Sequence, residues 1–197
     1  MSLDALYQSV ILDHWRNPRQ QGALTAPDAS VRLVNPTCGD EVTVDVALGG
    51  THRDVLIDVA HRGHGCSISQ GSASVFAELA TGRTVGEVAA LHDAFVEQLR
   101  SRGGAGDPAV LGDGVAFAGV GRFPARVRCA LLPWTAAAEA IEAARMTRSG
   151  AMSDGTATDG TNDGTTNDGT ANDGTTTNAV TDHRTRTDTA DDRRVSP

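Results

Sequence analysis

Val42-Thr43-Val44-Asp45-Val46-Ala47-Leu48 carries an apolar residue at every second position, with Glu41, Thr43, Asp45 and Ala47 interleaved. A period of two puts one set of side chains on one face of a strand. Val55-Leu56-Ile57-Asp58-Val59-Ala60 repeats the alternation, with Val55, Ile57 and Val59 set against Leu56, Asp58 and Ala60. Between them, Leu48-Gly49-Gly50-Thr51-His52-Arg53-Asp54 has the composition of a hairpin loop, and Val31-Arg32-Leu33-Val34 reads as a third strand. The expected fold is α+β, a small three-stranded antiparallel sheet with one face covered by helices.

The helices lie on either side of this sheet in sequence. Leu3, Leu6, Tyr7, Val10, Ile11 and His14 recur at helical spacing until Asn17-Pro18, which predicts an amphipathic helix over 3–16. After Cys66 the period is again helical, through Ile68, Ser72, Val75, Phe76 and Leu79, and Thr81-Gly82 ends it. Thr84, with Glu87 three residues on, marks the N-cap of a further helix whose stripe is Val85, Val88, Ala89, His92, Phe95, Val96 and Leu99. Residues 101–121 are Gly-rich and read as a long connection with one short helical turn around 115–118. The segment 123–145 is a strong helix former. Pro133 has no N–H for the carbonyl of Cys129, so a kink or a fresh start is expected there.

From Thr147 onward Thr, Asp, Gly and Asn dominate, with Asp-Gly at 154, 159, 163, 168 and 173. Such a segment buries no core and lacks the repeats of calcium-binding modules, so the expected organisation is a domain over 1–147 and a disordered tail over 148–197. Residues 1–147 hold 12 Arg against 16 acidic residues and the remainder 5 against 9, so each part contributes −4 to the net charge of −8. A net acidic chain without a basic run is a poor nucleic-acid binder. All 17 basic residues are Arg, which excludes lysine Schiff-base and P-loop lysine chemistry. No apolar run reaches the length of a membrane span and Met1-Ser2-Leu3-Asp4 lacks the order of a secretory signal, so a cytoplasmic protein is expected. The three cysteines, an odd number, fit that compartment: they favour metal binding or thiol chemistry over a disulfide framework.

Those thiols are the candidate chemistry. In Val34-Asn35-Pro36-Thr37-Cys38-Gly39-Asp40 a glycine lets a thiol and a carboxylate two residues apart aim at one centre. Cys66, in Gly63-His64-Gly65-Cys66-Ser67, lies between a glycine and the first turn of a predicted helix, where unpaired N–H groups favour an anion. Cys129 follows Arg126 and Arg128, whose charge offsets that of a thiolate-rich site. Three thiolates and Asp40 make four donors, the number a closed tetrahedral zinc site needs. His64 reads as a ligand, as a donor to one, or as a solvated loop residue. His14 and His92 fall on apolar stripes as core histidines, and His52, His61 and His183 carry no signal.

Leu6-Tyr7 through Asp13-His14 and Asn17-Pro18, then Asn35 to Asp40, Gly63 to Ser69, and Phe123-Pro124-Ala125-Arg126-Val127-Arg128-Cys129-Ala130 together resemble the SufU branch of the IscU-like (NifU N-terminal) family. The resemblance covers about residues 3–145. Arg128 stands where IscU-type scaffolds carry a histidine before the third cysteine, and no Leu-Pro-Pro-Val-Lys motif is present, as in the SufU branch. It implies a small antiparallel sheet with helices, a role in iron–sulfur cluster biogenesis, zinc bound by Cys38, Asp40, Cys66 and Cys129, and a persulfide accepted on Cys38 from a SufS-type cysteine desulfurase. Downstream iron–sulfur assembly proteins are the implied recipients. Two other functions compete: a scaffold on which a transient [2Fe–2S] cluster is built on the same ligands, and a structural zinc protein that binds a partner. Thiolate donors suit zinc and iron alike.

Overall fold

A computed structural model describes residues 3–151, with side chains through residue 147; the tail expected over 148–197 lies outside the described residues, save for a short helical backbone at its start. Helix α1 (Leu3–Arg16) precedes strands β1 (Ala29–Val34), β2 (Glu41–Gly49) and β3 (Val55–His64), followed by helices α2 (Ser67–Ala80), α3 (Val85–Arg100) and α4 (Pro108–Leu111), a 3₁₀ segment (Gly112–Arg122) and helix α5 (Pro124–Ala151). The strands form one antiparallel sheet in the order β1-β2-β3, as the alternation predicts.

The register is regular from Glu41 opposite His64 to Ala47 opposite Asp58, and then shifts, so that Leu48 pairs with Leu56. This bulge breaks the expected alternation of β3. Val59 and Leu56 are both buried while Ile57 is 54% exposed, because one extra residue turns the following side chains over. Irregular chain approaches the other side of the sheet. Segment 17–28 runs along the free edge of β3, where Gly22 N–H meets the His61 carbonyl at 2.8 Å, and then reaches the side of the sheet that carries Asp45.

Asp45, one of the residues interleaved with the valines of β2, is 1% exposed. Its carboxylate accepts from the Leu24 N–H at 3.2 Å, from Ser30 Oγ at 2.5 Å and from the Arg62 guanidinium at 2.5 Å. Burial pushes its pKa up, but the Arg62, Ser30 and Leu24 hydrogen bonds outweigh it and hold the carboxyl below the ordinary aspartate value. A carboxyl depressed in the folded chain contributes stability that is fully present above its unfolded pKa, about 4, and is lost as pH falls through the folded value. Asp45→Asn should therefore destabilise the protein at pH 7 by about 1–3 kcal/mol, read as a lower urea midpoint, and flatten the decline of stability below about pH 4. An unchanged acid profile in this variant would remove Asp45 from the account.

The core lies between the sheet and the helices. α5 packs over β1 and β2 while α2 packs against β3 and α1. Trp134 is fully buried, stacked on Phe95 at 4.1 Å and edge-on to Phe76 at 5.0 Å. Its indole N–H donates to Ser72 Oγ at 2.9 Å, and Ser72 donates onward to the Ala130 carbonyl at 2.7 Å. α2 and α5 are thus tied together by a satisfied polar link inside apolar packing.

Thr84 and Glu87 form the expected capping box of α3. Its stripe differs at three places: Ala89 faces solvent, and Leu91 and Gln98 enter the core. The larger difference is at 101–121, where the expected connection is mostly helical and packed, with Leu111, Phe117 and Val120 buried. α5 runs through Pro133 as one helix, without a restart. His14 is a satisfied core histidine, as its stripe predicts. Ser74 Oγ takes the Arg19 N–H at 2.8 Å and meets His14 Nδ1 at 2.8 Å, and His14 Nε2 meets Asp113 at 3.1 Å, joining α1, α2 and the 3₁₀ segment. His92 is half-buried beside Asp93. His61, given no role by the sequence, is 1% exposed; burial holds its pKa down, and Nε2 donates to the Arg19 carbonyl at 2.9 Å.

Candidate metal centre

Three separate pieces of chain converge at one end of the sheet. Cys38 and Asp40 come from the β1–β2 loop, Cys66 from the junction of β3 and α2, and Cys129 from the second turn of α5. The loop folds back sharply: Gly39 has φ +76°, a left-handed conformation that glycine adopts freely. Its N–H bonds the Asn35 carbonyl at 2.8 Å and the Asn35 N–H bonds the Asp40 carbonyl at 2.8 Å. Side chains two residues apart are thereby brought to the same centre, as the spacing predicts.

Cys38 Sγ and Cys129 Sγ are 3.5 Å apart, and one donor atom each from Cys38, Asp40 and Cys129 lies within 4.8 Å of the others. Cys66 joins through the carboxylate: its Sγ is 3.1 Å from Asp40 Oδ2 and its N–H donates to Oδ1 at 3.2 Å. Cys66 stands outside the compact trio of Cys38, Asp40 and Cys129. At Gly65 a Cβ would stand 2.6 Å from Ser69 Oγ and 2.8 Å from Asp40 Cγ, so glycine is required for this approach.

The environments of the donors differ. Cys38 and Cys66 are exposed, whereas Cys129 is buried. Cys66 occupies the N-cap of α2, with an extended backbone outside the first turn. Burial pushes the Cys129 thiol up, and its contact with Cys38 and the negative charge of Cys66 and Asp40 push it further the same way. Asp40 is 5% exposed; burial pushes it up, but hydrogen bonds from the Cys66 thiol, Ser69 and the Cys66 amide hold it below the ordinary range. Four donors of this kind, three sulfurs and an ionised carboxylate, match the chemistry of a tetrahedral zinc site.

His64 ends β3 opposite Glu41, exposed, and stands outside the trio; it is a strand residue rather than a loop one. Arg128 is exposed on α5, and Arg126 lies over the Phe123 ring at 4.8 Å. Arg126 also lines a groove of about 670 Å³ beside Cys66, walled by Tyr7 and Ile11 of α1, Ile68, Val120 and Arg122. Asn35 and Ser69 are site residues that the sequence reading missed. Asn-Pro-Thr signals a turn there, but nothing in it reveals that the Asn35 side chain reaches Cys129.

A family model described as the NifU-like N terminal domain matches residues 6–130. The chain is 38% identical over 135 residues to the zinc-dependent sulfurtransferase SufU of Bacillus subtilis, covering 68% of this chain and 88% of that one. It is equally 38% identical over 142 residues to the iron–sulfur cluster assembly scaffold protein IscU of Streptococcus pyogenes, covering 71% and 85%. Among solved structures it is similar to the N-terminal part of a nitrogen-fixing NifU-like protein from Brucella abortus, with a TM-score of 0.65 at 30% identity, covering 73% of this chain and 97% of that one.

Proposed function

The chain belongs to the family of NifU-like N-terminal domains, and we propose that it acts in iron–sulfur cluster assembly as a zinc-dependent sulfurtransferase, with Cys38 accepting sulfur from a SufS-type cysteine desulfurase. Cys38, Asp40, Cys66 and Cys129 would hold the zinc, which at neutral pH keeps the thiols deprotonated.

The observation that carries this reading is the unequal setting of the thiols. Cys38 is exposed on a short glycine-containing loop, whereas Cys129 is buried in a helix. A thiol on a loop can move toward a partner with small backbone changes; one inside α5 moves only with the helix. The Cys38 thiolate attacks the outer sulfur of the donor persulfide. A new S–S bond forms as the old one breaks, and the donor cysteine leaves as a thiolate, so no external oxidant or reductant is needed. The groove beside Cys66, with Arg122, Arg126 and the half-exposed Phe123 at its rim, offers the donor a surface. Among the described residues no helix is long and apolar enough to cross a membrane, and we place the activity in the cytoplasm, with downstream iron–sulfur assembly proteins as recipients.

The test is metal analysis of protein purified in air, followed by a cysteine desulfurase assay. Zinc near one equivalent with strong stimulation is the expected result. A [2Fe–2S] cluster that passes intact to an apo-protein would replace this reading with the scaffold one, which the same donor set also suits. Zinc without stimulation would reduce the protein to a structural zinc domain.

A further inference from the structure

We infer that Asn35 is a positioning residue of the metal centre, donating a side-chain N–H to the Cys129 sulfur while clasping the loop that carries Cys38 and Asp40; this rests on the reading of those groups as metal ligands. Asn35 is 5% exposed. Its Oδ1 accepts the Thr37 N–H at 3.1 Å, and its backbone closes the loop onto Gly39 and Asp40. A backbone N–H only donates, so the amide oxygen must face Thr37 and the NH₂ must face Cys129 Sγ, which it meets at 3.7 Å. One buried side chain therefore links the loop to a thiol 94 residues further along the chain.

The exposure of the three sulfurs gives this contact its use. Water can reach Cys38 and Cys66, but Cys129 is buried and depends on the protein for its hydrogen-bond donors. An N–H directed at a thiolate is a charge-assisted bond, about twice as strong as a neutral one. It draws electron density from the sulfur and fixes the direction in which the sulfur faces the metal. The same amide holds the Cys38 loop against α5, so the position of the mobile thiol is set relative to the fixed one.

Two measurements on the full chain test the assignment. In unmutated protein loaded with a spin-active cadmium isotope, NMR should show scalar coupling between cadmium and the Asn35 side-chain amide protons, carried through the hydrogen bond. Cadmium bound to Cys129 without that coupling would overturn the Asn35 assignment alone. Cadmium that does not bind Cys129 would overturn the metal reading, and this inference with it. In the cobalt(II)-loaded protein, Asn35→Asp keeps an oxygen for Thr37 but loses the donor, and Asn35→Ala loses both. The sulfur-to-cobalt charge-transfer band should move to lower energy in both variants, and zinc affinity should fall about ten- to hundredfold in Asn35→Ala. A weaker affinity with an unmoved band in both would mean that Asn35 is structural only.

Discussion

Cys38→Ser should give a folded protein that takes up no sulfur from a cysteine desulfurase. The side chain is exposed, and its loop is closed by backbone bonds from Asn35 to Gly39 and Asp40 that a serine leaves in place, so far-UV circular dichroism should be unchanged. A hydroxyl at this position stays protonated at neutral pH and does not attack a persulfide, so the loss should be complete, not graded. Stimulation of the desulfurase should drop to the rate measured without the protein. In the unmutated chain, mass spectrometry under non-reducing conditions should place the added sulfur on Cys38. Sulfur found mainly on Cys66 or Cys129 would sink the assignment. Cys66 makes this a demanding comparison, because it is exposed as well and differs from Cys38 chiefly in standing at the start of a helix.

Trp134→Ala should be the most destabilising single change in the described core. The indole is fully buried, contacts Phe95 and Phe76 with well-formed ring geometry, and supplies the proton that Ser72 accepts. Removing it leaves a cavity that the surrounding helices cannot close, at a cost of about 3–5 kcal/mol. For a chain of this size that is a fall in Tm on the order of 10 °C. Trp134→Phe keeps most of the ring packing and loses the N–H, and should cost about 1–2 kcal/mol. Zinc affinity should follow stability here, since the link from Trp134 through Ser72 to Ala130 joins α2, whose N-cap is Cys66, to α5 beside Cys129. Equal Tm values for wild type and Trp134→Ala would contradict this account of the core.

The sheet, α1, α2 and α3 were legible in the sequence because their apolar periods of two and 3.6 run unbroken, and the Thr84-Glu87 box marked a helix start outright. The bulge was not, because Val55, Ile57 and Val59 keep the alternation on paper while the register shift beside Leu48 turns Ile57 outward. Residues 112–122 hid their helical character behind four glycines, and Phe117 and Val120 become recognisable as anchors once the core around Phe95 is formed. The burial of Asp45 has no local signature, since its partners, Leu24, Ser30 and Arg62, lie on three different segments. At the site, residue type and local spacing pointed to Cys38, Asp40, Cys66 and Cys129. The reach of Asn35 across 94 residues has no local signature and required the fold.

Cys38 and Cys129, whose sulfurs are 3.5 Å apart, are separated by 91 positions along the chain. An unfolded chain does not hold these donors together, so an ion that binds them binds almost wholly to the native state. Its affinity is then added to the folding free energy: free metal at a thousandfold excess over Kd contributes about 4 kcal/mol, a large part of what a domain commonly possesses. Occupancy of the proposed site would thereby govern how long the polypeptide survives, and chelation should hasten proteolysis at cut sites far from any cysteine. Chains that have lost their ion would be cleared first, so the pool of protein left in a cell is enriched in molecules able to work.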